Sequence, residues 1–194
     1  MLPNPLHPAV VHFPIVFMFL LPISAGVALW AIRRGANPLK AWAVPVAFAA
    51  ALSLSAWVAL QTGQAQEEKV EDVVSEGRIG DHEEAAEAFL IVAGVLVLVA
   101  AAGLAKGVTG RAARIVATVG SLAAMGAGYQ VGHSGGELVY TYGAASAYAK
   151  GGATGEGGER APAGDEKAGK GDQGEKGEKG EKGERGERGE REGG

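Results

Sequence analysis

The chain has 194 residues, with 18 lysines and arginines against 22 aspartates and glutamates, and a formal net charge of −4. This balance excludes the basic surface that nucleic-acid binding requires. The absence of cysteine excludes disulfides, thiolate metal sites and thiol catalysis. Composition changes at residue 150: residues 1–150 are rich in Ala, Val and Leu, whereas residues 151–194 are almost wholly Gly, Glu, Lys and Arg.

Residues 1–150 contain four apolar stretches, each near or above the roughly 20 residues that a helix needs to cross a bilayer. None has the polar residue at every third or fourth position that a soluble helix shows. No basic residue precedes the first stretch, so it is not a secretory signal peptide. We predict an all-α fold, a four-helix transmembrane bundle, with spans at Ala9–Ile32, Ala41–Leu60, Ala85–Ala105 and Ala112–Val131.

The charges of the connections predict the orientation of these spans. The connections "RRGANPLK" and "AKGVTGR", together with Arg114, hold six of the nine bases of residues 1–150 and no acid. The acids lie between Gln61 and Glu84, at Glu87 and at Glu137. Because cationic loops stay in the cytoplasm, we expect a multi-pass protein of the inner (plasma) membrane with both termini and the acidic loop outside it.

This topology brings all four histidines to the extracytoplasmic ends of the spans. His7 and His12 begin the first span, His82 begins the third, and His133 follows the fourth. Imidazole is a common ligand of haem iron, zinc and copper. We expect His7 to be an interfacial side chain bonded to water, and Pro14 to tilt its helix end so that His12 points inward.

One hypothesis is a b-type haem in an electron-transfer subunit that connects quinol with a periplasmic cytochrome. Its ligands must come from different helices, which favours His12 with His133. Tyr129 and Gln130 share a helix face with His133 and could donate hydrogen bonds to a propionate or a quinone oxygen. Small residues recur every four positions from Gly120 to Gly132, which predicts close helix packing or, alternatively, a slot for a flat ring.

A second hypothesis is a non-haem copper, zinc or iron site. It would use the imidazoles of His12, His82 and His133 with the carboxylates of Glu83 and Glu87 as ligands or orienting partners. A third is a structural subunit without a cofactor, whose histidines pack helices and dock a partner. No nucleophile elbow, phosphate loop or hydrolytic carboxylate pair occurs, so a redox or structural subunit is favoured over a stand-alone enzyme.

Four motifs in order, "HPAVVHFPI", "TGQAQEE", "DHEE" and "GHSGGELVY", resemble a bacterial integral membrane domain catalogued as domain of unknown function 2231. The resemblance covers roughly residues 5–142. It implies a four-span protein with outward-facing histidine motifs and makes a haem or redox role plausible. The matching positions are His7, His12, Thr62, Gly63, His82, Glu83, His133, Gly135 and Gly136.

The segment 151–194 forms an extracytoplasmic tail in this prediction. Gly171 to Arg191 reads as seven Gly-X-Y triplets, the period of collagen, but it contains no proline. A composition that cannot bury apolar area predicts a solvated, disordered polyampholyte. Three tails would associate only if the membrane domains already formed a trimer.

Overall fold

A computed structural model describes residues 5–149, so the predicted tail lies outside the described residues. Four long helices carry the fold. They are α2 (His12–Arg33), α3 (Pro38–Gln64), α5 (Glu76–Ala102) and α6 (Gly107–Tyr140), joined by the short helices α1 (His7–Val10), α4 (Glu67–Glu71) and α7 (Ser146–Ala149). The long helices pack as an up-and-down ring in which α2 contacts α3, α3 contacts α5, α5 contacts α6, and α6 contacts α2.

Buried residues on the long helices alternate in spacing between three and four positions, which is the spacing of left-handed helix packing. On α3 the buried residues are Trp42, Pro45, Ala49, Leu52, Ala56 and Ala59, and on α6 they are Gly110, Arg114, Ala117, Ser121 and Ala124. Most of these side chains are small, so the helix backbones approach closely.

Many large apolar side chains lie on the outside of the bundle. Leu98 is 71% exposed and Ile91 67%, whereas Ala49 and Ala93 in the interior are fully buried. A strongly apolar exterior around helices that meet largely through small residues is the arrangement that lipid solvent favours. Within residues 5–149, four helices, with α1 and α2 taken as one segment, are long and apolar enough to cross a membrane. The predicted four-helix transmembrane bundle is confirmed.

The helices extend beyond the predicted spans. The third begins at Glu76 instead of Ala85, and the fourth continues to Tyr140 instead of ending at Val131. Hydropathy marks only the part of a helix that is apolar, whereas the backbone bonds of these helices continue into polar sequence. We call the end where α1 begins and α6 ends the histidine-bearing end, and the opposite end the arginine-bearing end.

The first helix is interrupted at Val11, between α1 and α2. Pro14 has no amide proton to donate to the carbonyl of Val10, four residues earlier, which explains the break. The side chain of His12 is exposed beyond the break, whereas that of His7 is half-buried. The expectation that Pro14 turns His12 inward is therefore wrong, because His7 takes the inward position.

Candidate functional site

His7 is held against the end of α3. Its Nδ1 lies 2.8 Å from the carbonyl oxygen of Ala59 and 3.3 Å from the hydroxyl of Thr62. Its ring also lies against Gly63, where an added Cβ would stand 3.2 Å from the His7 Cε1. His7 is thus not the water-bonded interfacial side chain that the sequence suggested, because α3 provides its hydrogen-bond partners and a glycine surface for its ring.

His82 is held in the same manner against the end of α6. Its Nδ1 lies 2.8 Å from the hydroxyl of Ser134, which itself donates to the carbonyl of Val131 at 3.1 Å. A Cβ at Gly135 would stand 3.1 Å from the His82 Cε1. The two contacts are alike. In each, a histidine near the start of one helix packs on a Thr-Gly or Ser-Gly dipeptide near the end of another helix.

The two histidines face each other across the bundle. Their ring centroids are 6.4 Å apart and their planes are inclined by 80°. We call His7 and His82 the histidine pair. It joins α1 and α5, which are far apart in sequence, so the four helices must be assembled before the pair exists.

The hydrogen bonds define the tautomer of His7 and are compatible with the same tautomer of His82. A carbonyl oxygen can only accept, so Nδ1 of His7 donates to Ala59. When the Ser134 hydroxyl donates to the Val131 carbonyl, its oxygen accepts from Nδ1 of His82. In a neutral imidazole with a proton on Nδ1, Nε2 keeps its lone pair. Both rings can therefore offer Nε2 as a ligand or a proton acceptor.

Acidic side chains surround the histidine-bearing end. Glu83, beside His82 in sequence, accepts a 2.6 Å hydrogen bond from the Gln64 side chain. The charge of Glu83 raises the pKa of Glu67, and burial, Glu71 and Glu76 add smaller contributions in the same direction. We call these four glutamates (Glu67, Glu71, Glu76 and Glu83) the acidic rim. They produce a negative potential at this end of the bundle.

A second apolar cluster closes the same end. Val74, Ile79 and Ala144 are its buried members. The Tyr148 hydroxyl in α7 donates to the side-chain oxygen of Gln66 at 3.1 Å, which ties the chain after α6 to the connection after α3. Burial raises the pKa of this phenol. The long connection between α3 and α5 is therefore packed against the bundle and is part of its structure.

The residues predicted to bind a haem lie elsewhere. His12 is exposed on α2, and the His133 side chain is 57% exposed on α6. The His133 Nδ1 lies 3.9 Å from the Glu137 carboxylate, and its ring is 6.0 Å from that of Tyr129, which is 71% exposed. Gln130 is exposed as well. The structure brings Tyr129 and His133 together on one exposed helix surface, whereas His12 is exposed on a different helix.

The predicted non-haem metal ligands do not converge either. Across residues 5–149, no three histidine, aspartate or glutamate side chains form a group that could hold a metal ion. Of the set His12, His82, His133, Glu83 and Glu87, only His82 belongs to the histidine pair, and Glu87 is exposed.

The stripe of small residues on α6 is a packing surface. A Cβ at Gly120 would meet Leu96 at 3.3 Å, and one at Gly128 would collide with Met18 and approach Phe89 to 3.2 Å. Side chains of α2 and α5 therefore occupy this part of the stripe, in accordance with the helix-packing interpretation.

Sequence reasoning missed Ser134 and assigned no site role to His7. The sequence does contain a signal for this arrangement, because it occurs twice at similar spacing. A Thr-Gly dipeptide begins 55 residues after His7, and a Ser-Gly dipeptide begins 52 residues after His82.

No curated protein and no solved structure matches the chain. A family model, described as "Predicted membrane protein (DUF2231)", matches residues 3–147. This match covers the whole bundle and includes both members of the histidine pair. The chain therefore belongs to the DUF2231 family of predicted membrane proteins.

Proposed function

We propose that this protein is a haem-binding electron-transfer subunit of the membrane, in which His7 and His82 are the two protein ligands of the cofactor. The observation that carries the proposal is the histidine pair itself, two imidazoles from different helices with their Nδ1 protons already engaged. Ligand histidines almost always donate their second ring N–H to a carbonyl, carboxylate or water.

The number of the ligands suits haem iron. Structural zinc takes four protein ligands and catalytic zinc three, whereas haem iron needs only axial ligands from the protein. The histidine pair offers two imidazoles from different helices, with ring centroids 6.4 Å apart, which is the number of protein ligands that such an iron would take.

Bound haem iron would supply a one-electron couple. The chain itself orients the two imidazole rings and provides the apolar and acidic surroundings of the site. Ala59 and Ser134 hold the rings in the Nδ1–H tautomer, and the cluster of Val74, Ile79 and Ala144 supplies apolar packing at the same end. The acidic rim is complementary to a basic electron-transfer partner such as a periplasmic cytochrome.

The test is a set of His→Asn variants of the full chain purified in detergent, observed by reduced-minus-oxidised absorption spectra. Asparagine can still donate a hydrogen bond where Nδ1 does but offers no imidazole Nε2. His7→Asn and His82→Asn should each lose the sharp red-region bands of a bis-histidine haem. His12→Asn and His133→Asn, which change exposed histidines at the same end, should keep them.

Two results would contradict the proposal. Bands that survive His7→Asn and His82→Asn but disappear in His12→Asn and His133→Asn would move the ligands to the pair that the sequence favoured. A wild-type protein without bands, but with stoichiometric copper, zinc or iron that depends on His82, would establish a non-haem site instead.

A purely structural role is the second candidate, because both rings already connect helices through hydrogen bonds. On this alternative the protein binds neither haem nor metal. His7→Asn would then unfold at nearly the wild-type temperature, whereas His7→Ala, which removes the 2.8 Å bond to the Ala59 carbonyl but keeps the bond from Thr62 to that carbonyl, would be less stable by about 0.5–1.5 kcal/mol.

A further inference from the structure

The arginine-bearing end contains a cavity of about 570 Å³ between the α2–α3 and α5–α6 connections. It lies at the ends of the membrane-crossing helices, where a bilayer changes from acyl chains to headgroups. The charge, the backbone donors and the apolar surface of its walls suit the same class of ligand.

Four cationic side chains line the cavity, namely Arg33, Lys106, Arg111 and Arg114, and none of the described lining residues is acidic. Arg114 is only 8% exposed. Its Nε donates to the Gly103 carbonyl at 2.7 Å and its Nη2 to the Ala105 carbonyl at 3.3 Å. Those bonds use two of the five guanidinium N–H donors, so a fixed, largely desolvated cation forms part of the wall.

The backbone adds donors to the same cavity. Helix α6 begins there at Gly107, which adopts a φ of +72°, and its N-cap residue Lys106 makes no side-chain capping bond. The start of α3 differs, because the Asn37 side chain accepts from the amides of Leu39 and Lys40. The first amides of α6 are thus a second group of donors suited to an anion.

The remaining walls are apolar and include Leu29, Ile32, Leu104 and Ile115. A small hydrated anion would not bind to these apolar surfaces, whereas an acyl chain would pack against them and bury them. We propose that the cavity binds an anionic phospholipid, with its phosphate at Arg111, Arg114 and the start of α6 and its chains against the apolar wall. This proposal is independent of any cofactor at the histidine-bearing end.

The test measures lipid binding to the full chain in detergent by native mass spectrometry. The probes are dioleoyl-phosphatidylglycerol, dioleoyl-phosphatidylcholine with the same chains, and inorganic phosphate. Phosphatidylglycerol should bind at least about fivefold more tightly than phosphatidylcholine, since one charge near a cationic site is worth about that factor. Phosphate alone should not displace it.

The variants Lys106→Gln and Arg111→Gln should each weaken phosphatidylglycerol binding by about fivefold. Arg34→Gln is the matched control, because it removes an arginine at the same end that lies over the Trp30 ring and outside the cavity. That variant should change binding by less than about twofold, since its charge does not line the cavity and is screened by the solvent ions between it and the bound phosphate. Equal binding of both lipids, equal losses in all three variants, or displacement by phosphate would each overturn the proposal.

Discussion

Replacing Gly135 by alanine tests whether the helix surface under His82 holds the histidine pair in place. The new Cβ would stand 3.1 Å from the His82 Cε1, closer than ordinary van der Waals contact. The ring must therefore shift by a few tenths of an ångström, which lengthens its 2.8 Å hydrogen bond to Ser134. Overpacking of this kind costs about 1–3 kcal/mol.

The adjacent Gly136 provides the control. It lies on the same helix, and an added Cβ there would meet nothing within 4 Å. Gly136→Ala should therefore stabilise α6 by up to about 1 kcal/mol through helix propensity alone. The same gain applies at Gly135 but is offset by the contact with His82, so Gly135→Ala should be less stable than Gly136→Ala by about 1–3 kcal/mol.

The assay is unfolding of both variants in one detergent, followed by circular dichroism, together with the absorption spectrum of any bound cofactor. A bound cofactor should remain in Gly135→Ala, because a ring shift of a few tenths of an ångström stays within the roughly 0.5 Å that a ligand site tolerates. Equal stability of the two variants would show that the imidazole of His82 is not held by this glycine.

Three further predictions concern other parts of the chain. Trp42→Phe should lower stability by about 0.5–1.5 kcal/mol in detergent unfolding, because it removes the 2.9 Å bond from the indole to the buried Ala100 carbonyl, which keeps its bond from the Gly103 amide. Glu83→Gln should lower the pKa of Glu67 in an NMR titration, since the Glu83 charge is the largest cause of its increase; an unchanged pKa would contradict this. Alkaline phosphatase fused in place of residues 151–194 should be active, as the charge distribution predicts for an extracytoplasmic terminus.

The spans were predictable because hydropathy and length alone determine whether a helix can cross a bilayer. Which of the two histidines of the first helix faces the bundle interior was not predictable from the sequence. Five residues separate His7 from His12, which places them about 140° apart around an ideal helix, so both cannot face the core. The interior of this bundle is rich in alanine, with some larger apolar residues such as Trp42 and Leu52, and its exterior is rich in leucine and valine. Neither face of a helix is distinctly polar, so periodicity could not select between the histidines.

The lack of a distinctly polar helix face also explains why the inward-facing residue near the end of α6 was predicted wrongly. His133 and Ser134 are adjacent and lie about 100° apart on the helix, and the sequence favoured the imidazole. In the structure Ser134 faces inward and accepts from His82, whereas His133 is exposed beside Glu137. Which side faces inward depends on the packing of α6 against α2 and α5, through contacts such as Gly128 with Met18 and Phe89.

The proposed binding of haem iron by the histidine pair is tested by the haem content of the wild-type chain and of the double variant His7→Asn/His82→Asn, purified from the same membranes. Haem is quantified by the pyridine haemochrome spectrum and normalised to protein. We predict about one haem per wild-type chain, with sharp bands on reduction, and none in the folded double variant. A folded wild-type protein without haem, or a double variant that retains it, would contradict the account.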